Sequence, residues 1–411
     1  MRTPVQDYLR EVTESLADVD DGAVADYIPA LATADPDVLA LALTTITGRT
    51  YAVGDADREF SLQSISKPFA YAVALLDHGF EAVDRVVGVE PSGEAFDELS
   101  LEKGSHRPRN PMINAGALAV HSLLDPGDGG RVERLLDVFS ALAGRPLRVD
   151  AEVHVSEMAT ADRNLALAHM LRSYGLVTAD VHDVVDGYVQ QCAVMVTARD
   201  VAAMGATLAG GGVQPVTGER VLPARVARQT LSVMLAAGMY NGAGSWITGV
   251  GIPAKSGVSG GLLGALPGQA GVCVFSPRLD AHGSSVRGVR VFQRLSSDMG
   301  LHLMDAERLG ETVLRERRVD GDEVVYALQG VVEFTGAEHL LHELAQEEGR
   351  TCVVLDLTHV DRVTRVGRRM VLEGLRRLRQ DGRRVAVLDA GRVLPHPDPG
   401  DGEVVEDRAH P

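Results

Sequence analysis

Lysine is nearly absent from this chain. Of 40 basic residues in 411, only Lys67, Lys103 and Lys255 are lysine. A chain that avoids lysine so strongly keeps it where arginine cannot serve. Arginine does not give up its proton in a protein, whereas a buried lysine can become a neutral base. Asparagine is also scarce, limited to Asn110, Asn114, Asn164 and Asn241. The three cysteines, Cys192, Cys273 and Cys352, are odd in number and far apart, so no disulfide framework is implied. No Cys/His cluster has metal-ligand spacing. No apolar run approaches the ~20 residues that span a bilayer. The segment from Met1 to Ala17 lacks the apolar stretch of a signal peptide. These absences predict a reduced, soluble, cytoplasmic protein with no membrane span and no metal. Positive charge is in deficit as well. The net charge of −17 argues against a nucleic-acid partner.

What is present is ordinary for a globular protein, with 45% apolar and 24% charged residues. The length predicts two or three domains. Residues 38–53 read as a hairpin turning at Gly48. Residues 64–79 read as a helix with apolar Ile65, Phe69, Val73 and Leu76, ending at Gly79. Further helices are predicted over 112–123, 131–143, 162–174 and 225–237. Strands are predicted over 246–252 and 271–275, separated by the glycine-rich run Ser256 to Gly264. A last strand is predicted over 286–293, then a helix to about Glu316. This order predicts an α+β domain over 1–303, an antiparallel sheet with a helical region inserted. A helical linker over 304–319 follows.

A small α/β domain is predicted over 320–395. Its order is strand 324–329, strand 331–334, helix 336–346, strand 352–357, helix 366–380 and strand 384–388. Pro395, Pro397 and Pro399 open an acidic tail, 396–411, expected to be disordered.

The chemistry concentrates in SLQSISKPFAYAVALL. Ser64 and Lys67, three residues apart at a helix start, share one face. A desolvated lysine there can take the serine proton, and the helix N-terminus favours developing negative charge. Ser100 and Lys103 repeat the spacing in a polar stretch that reads as a solvated loop. A second element is Lys255-Ser256-Gly257 in VGIPAKSGVSGG. A lysine at a strand edge followed by small residues leaves room for substrate, and its N–H groups can line an oxyanion site.

Ser-x-x-Lys upstream of Lys-Ser/Thr-Gly is the pattern of serine β-lactamases and penicillin-binding proteins. The blocks ADYIPALA, QSISKPF, NPMINAGA, SEMATADRN, YVQQC, MLAAGMY and GIPAKSGVSGG, in this order, resemble the bacterial serine-type glutaminases over residues 5–303. The resemblance implies a β-lactamase/transpeptidase-like fold and hydrolysis of L-glutamine without a cofactor. It implies Ser64 as nucleophile and Lys67 as base. Tyr188 and Tyr240 would stand beside the reacting centre, one of them relaying a proton to ammonia. Asn114, Glu157 and Asn164 would hold the amino-acid head group. Val258 would give the backbone N–H that completes the oxyanion hole with Ser64. Tyr27 and Gln63 would line the pocket. A homo-oligomer, dimer or tetramer, is the expected assembly. The residues alone leave a β-lactam or peptide amidase and a non-catalytic binding protein as alternatives. No Ser-Asp-Asn triplet separates the two motifs, which disfavours the first.

The stretch VVLDLTHVDRVTRVGRRMVLEGLRRLRQDGRRVAVLDA resembles the STAS domain. That resemblance implies a regulatory or assembly role, and the arginine run from Arg362 to Arg384 suits docking to an acidic protein surface or an anionic ligand. Thr364-Arg365-Val366-Gly367 stands where family members often carry Asp-Ser-x-Gly, so arginine replaces the phosphorylated serine. The helix is expected to bury Val371, Leu372, Leu375 and Leu378. Arg368, Arg369, Arg376 and Arg379 are expected to face outward.

Overall fold

The computed structural model describes residues 4–93, 101–125, 129–305, 313–347, 349, 351–395, 397–400 and 404–409. The chain divides into two compact units, Met1–Asp305 and Ala306–Pro411.

The first unit is built on a five-stranded sheet. Its order is Thr50–Gly54, Ala40–Thr45, Ala270–Phe275, Gly261–Leu266 and Ala254–Ser256, each pair antiparallel. The early hairpin therefore lies beside the latest strands, and the helical region is inserted between them. The inner strands are buried on both faces. Leu41, Leu43, Leu262, Val272 and Val274 pack with Leu9, Val12, Val291, Phe292 and Leu295 of the helices Pro4–Glu14 and Val286–Met299. Ala40, Ala42, Leu263, Ala265 and Cys273 belong to the opposite core, with the helix Ala198–Ala209. Gly271 permits that contact, since a Cβ there would lie 2.1 Å from the Ala206 nitrogen.

Two predicted strands are helices. Residues Ala243–Gly249 form a short helix that buries Trp246, whose Nε1 donates to the Ile252 carbonyl at 2.7 Å. Val286–Met299 is a helix capped by Ser285, which accepts from the Gly288 N–H. Its buried positions, 287, 288, 291, 292, 295 and 296, follow the helical period despite the valines. The glycine-rich run is mostly strand, because Gly261–Leu266 pairs with both its neighbours. Helices Ala151–Met158 and Val181–Cys192 add to those predicted.

The second unit is also a five-stranded sheet, in the order Glu406–Asp407, Arg384–Leu388, Cys352–Val363, Glu323–Val332 and Leu314–Asp320. The last pairing is antiparallel and the others are parallel. Helices Phe334–Gln346 and Arg365–Gln380 bury Leu340, Leu344, Val371, Leu375 and Leu378 against Tyr326, Leu328, Val353 and Leu355. Leu372 is only half-buried. The predicted strands 324–329 and 331–334 are one strand to Val332, with an irregularity beside Gly330. Two other expectations are corrected. The linker expected to be helical over 304–319 contains the strand from Leu314, while 306–312 lie outside the described residues. In the tail, Val405 is buried and Glu406–Asp407 extends the sheet, because a parallel edge was available to pair with it. Residues 396, 401–403 and 410–411 of that tail lie outside the described residues.

Candidate active site

The short strand Phe60–Ser61 leads into a 3-10 turn, Gln63–Ile65, and then the helix Ser66–His78. Gln63 has φ +50°, a left-handed conformation unusual for a residue with a side chain. Its carbonyl accepts from the Ser66 N–H and from Ser66 Oγ at 2.7 Å. Ser64 thus sits on a pinned turn, and Lys67 on the first turn of the helix. Pro68 fits there because the first turn needs no donor from it.

Lys67 is 1% exposed, and its Nζ donates to Asn114 Oδ1 at 2.6 Å. Asn114 opens the helix Asn114–Leu123 and donates to Asn164 Oδ1 at 3.3 Å. Glu157, near the end of Ala151–Met158, is 8% exposed and accepts from Gln63 Nε2 at 2.9 Å. A cavity of about 310 Å³ gathers Tyr27, Gln63, Ser64, Asn114, Glu157, Asn164, Tyr188 and Val258. Eight of the residues singled out by sequence therefore share one wall-to-wall space.

Tyr240 is not among the lining side chains. It sits on a short turn with φ +53°, and its hydroxyl accepts from Lys255 Nζ at 2.7 Å. Lys67 Nζ lies 5.8 Å from the centre of its ring and Lys255 Nζ 4.0 Å. Both buried lysines thus lie close to this one phenol. Lys255 also donates to the Ser256 carbonyl at 2.8 Å. Gly257 leaves room for the turn that carries Ser64. A Cβ there would lie 3.1 Å from the Leu62 carbonyl and 3.2 Å from Ile65. Of the competing Ser-x-x-Lys match, Lys103 lies in an exposed turn and Ser100 lies outside the described residues.

Burial sets the electrostatics. Desolvation lowers the Lys67 pKa to about 8, against the opposing pull of Cys192 and Glu157. Lys255 is driven well below its ordinary value by burial and by the Lys67 charge. Burial raises Glu157 to about 7, moderated by the Gln63 hydrogen bond and by Lys67. Tyr188 is raised well above its ordinary value by burial and remains a phenol at neutral pH. The site thus holds a lysine that can be neutral near neutral pH and a carboxylate ready to meet a cation.

Ile28, Thr160, Arg163 and Cys192 also line the cavity and were not singled out. Thr160 and Arg163 lie inside the SEMATADRN block, which was the available signal. Cys192 is the last residue of the YVQQC block.

The glutaminase family model matches residues 22–304. The chain belongs to the glutaminase family. It is 52% identical to a glutaminase of Corynebacterium glutamicum over 410 residues, covering 98% of this chain and 99% of that protein. A glutaminase of Nostoc is 45% identical over 309 residues, covering 75% of this chain and 92% of that protein. The crystal structure of Mglu in its tris and glutamate form is 50% identical, with a TM-score of 0.89, covering 96% of this chain and all of that one. The antiparallel sheet and inserted helices are thus a glutaminase fold, of the β-lactamase-like type. Among the described residues of this glutaminase-family enzyme, no helix is long and apolar enough to cross a membrane.

Proposed function

We propose that the enzyme hydrolyses L-glutamine to L-glutamate and ammonia through an acyl-enzyme on Ser64. The observation that carries this is the placement of Ser64 and Glu157 on one cavity, with Lys67 buried behind Asn114. Neutral Lys67 accepts the Ser64 proton as Oγ attacks the side-chain amide carbonyl. The N–H groups of Ser64 and Val258 hold the oxyanion. The C–N bond breaks as a proton passes to the leaving ammonia, through Tyr188 or Tyr240. Water then attacks the ester and regenerates Ser64. Asn114 Oδ1 stabilises the ammonium form of Lys67. Glu157 pairs with the substrate α-ammonium, and Asn114 and Asn164 donate to its α-carboxylate. A glutamine-like electrophile should label Ser64 on peptide mapping; label on Ser256 or Ser100 would overturn the assignment.

The second unit we read as STAS-like, spanning about residues 320–395, with a regulatory or assembly role in a cytoplasmic homo-oligomer. The parallel core of its sheet and its two helices support this reading. Thr364 caps the second helix, accepting from the Gly367 N–H and donating to the Val332 carbonyl. A hydroxyl so engaged, followed by Arg365, does not suit a phosphorylation switch. The expected arginine face is partly engaged. Arg376 pairs with Glu373, Arg368 donates to the Pro395 carbonyl and Arg379 to the Val404 carbonyl. Arg369 is exposed.

A further inference from the structure

Three fully buried polar side chains form a line that ends on the residue before the nucleophile. His121 Nδ1 lies 3.0 Å from Gln191 Oε1. Gln191 Nε2 donates to Ser66 Oγ at 2.9 Å, and Ser66 Oγ donates to the Gln63 carbonyl at 2.7 Å. His121 and Ser66 are 0% exposed and Gln191 is 1% exposed. None of the three lines the cavity.

The directions of these bonds are fixed from one end. The Gln63 carbonyl can only accept, so the single Ser66 hydroxyl proton points at it. Ser66 Oγ must then accept, so Gln191 presents its NH₂ to Ser66 and its carbonyl to His121. The histidine must donate from Nδ1, which makes it the neutral Nδ1–H tautomer. Burial agrees, lowering the His121 pKa to about 4. Among the described residues, its Nε2 is buried without a hydrogen-bond partner. Nε2 is backed instead by Gly187, where a Cβ would lie 2.4 Å away. A glycine thus makes room for an imidazole of which only one nitrogen is used.

We propose that His121, Gln191 and Ser66 are positioning residues that hold Gln63 in its left-handed conformation and so set the reactive geometry of Ser64. The proposal rests on Ser64 being the nucleophile. Gln63 is the hinge of the site. Its backbone precedes the attacking serine, and its side chain orients Glu157. A residue at φ +50° relaxes toward the common negative-φ regions unless something holds it. Relaxation would swing the Ser64 Oγ and N–H away from the scissile carbonyl. Displacements near 1 Å can cost about 100-fold in rate.

The test uses the full-length protein and four variants. Asparagine carries an amide nitrogen as far from Cβ as histidine Nδ1, so His121→Asn keeps the donor while His121→Leu removes it. Gln191→Met keeps the length and removes both bonds, and Gly187→Ala pushes the imidazole aside. Turnover is expressed per site titrated by a glutamine-like electrophile, so misfolded protein does not count. His121→Leu, Gln191→Met and Gly187→Ala should each lose about 10- to 100-fold in kcat, with a smaller rise in KM because Gln63 also orients Glu157. His121→Asn should stay within about threefold in kcat. Equal kcat for His121→Asn and His121→Leu, or wild-type kcat per titrated site in Gln191→Met, overturns the positioning role. Mapping of the electrophile in wild type separates the two readings. Label away from Ser64 refutes the nucleophile assignment, whereas label on Ser64 with unaltered variants refutes the positioning line alone.

Discussion

Replacing Lys67 by arginine separates its charge from its capacity to act as a base. With a pKa lowered to about 8, roughly one lysine in ten is neutral at pH 7. Arginine, with a pKa above about 12, would be neutral in fewer than one molecule in 10⁵. A positioned general base contributes about 10²–10⁴-fold, and that is the loss expected in kcat/KM. The guanidinium is also larger than the ammonium it replaces, at a site 1% exposed. Overpacking there should cost about 1–3 kcal/mol, visible as a lowered Tm in a protein that still folds. Lys67→Met supplies the control, because it keeps the volume and removes the base without adding bulk. The assay is ammonia release from glutamine across pH 6–9. Wild-type kcat/KM should rise with pH through the Lys67 value near 8 and the Glu157 value near 7. Both groups act deprotonated, so the acid limb should be steeper than first order below pH 7. The arginine variant should lose the limb near 8. Turnover within tenfold of wild type in either variant, or an unchanged limb near 8 in Lys67→Arg, would refute lysine as the base.

Glu157 binds its proton more tightly folded, at about 7, than unfolded, at about 4.3, so stability falls as pH rises between those values. Glu157→Gln should therefore raise Tm at pH 8, by up to ~3 kcal/mol of stability, while glutamine turnover collapses and the preference for glutamine over N-acetylglutamine disappears. A lower Tm at pH 8 with that preference intact would contradict it. His121 behaves oppositely, since burial lowers its pKa to about 4 and the unfolded chain takes up the proton first. Stability should fall as pH drops from about 6.5 to 4, by up to ~3 kcal/mol, and His121→Asn should flatten that slope in a thermal melt series. A chain ending at Asp305 should remain an active glutaminase, because the Nostoc relative is matched over 92% of its length by 75% of this chain. It should differ from the full chain in oligomeric state or salt response by light scattering; identical behaviour throughout would remove the assembly role proposed for the second unit.

The short-range features were legible. Ser64 and Lys67 fall one turn apart, and the helix through His78 follows from apolar spacing and the Gly79 stop. The ordered blocks carried the family, and eight of the named residues line one cavity. Residues 246–252 and 286–293 were misread because valine and isoleucine favour strands, while the burial of Trp246 and Phe292 against the sheet decided for helix.

Sequence by itself determined which residue types were available and which fell together within a few positions, because helical spacing, turn chemistry and the scarcity of lysine are local properties. The tertiary structure decided everything that depends on burial and on distant neighbours. Lys67 meets Asn114, 47 residues away, and Gln63 meets Glu157, 94 residues away. Only that assembly excludes water from both charges. Exclusion of water is what lowers the lysine, raises the carboxylate, and turns a common four-residue motif into a site able to do chemistry.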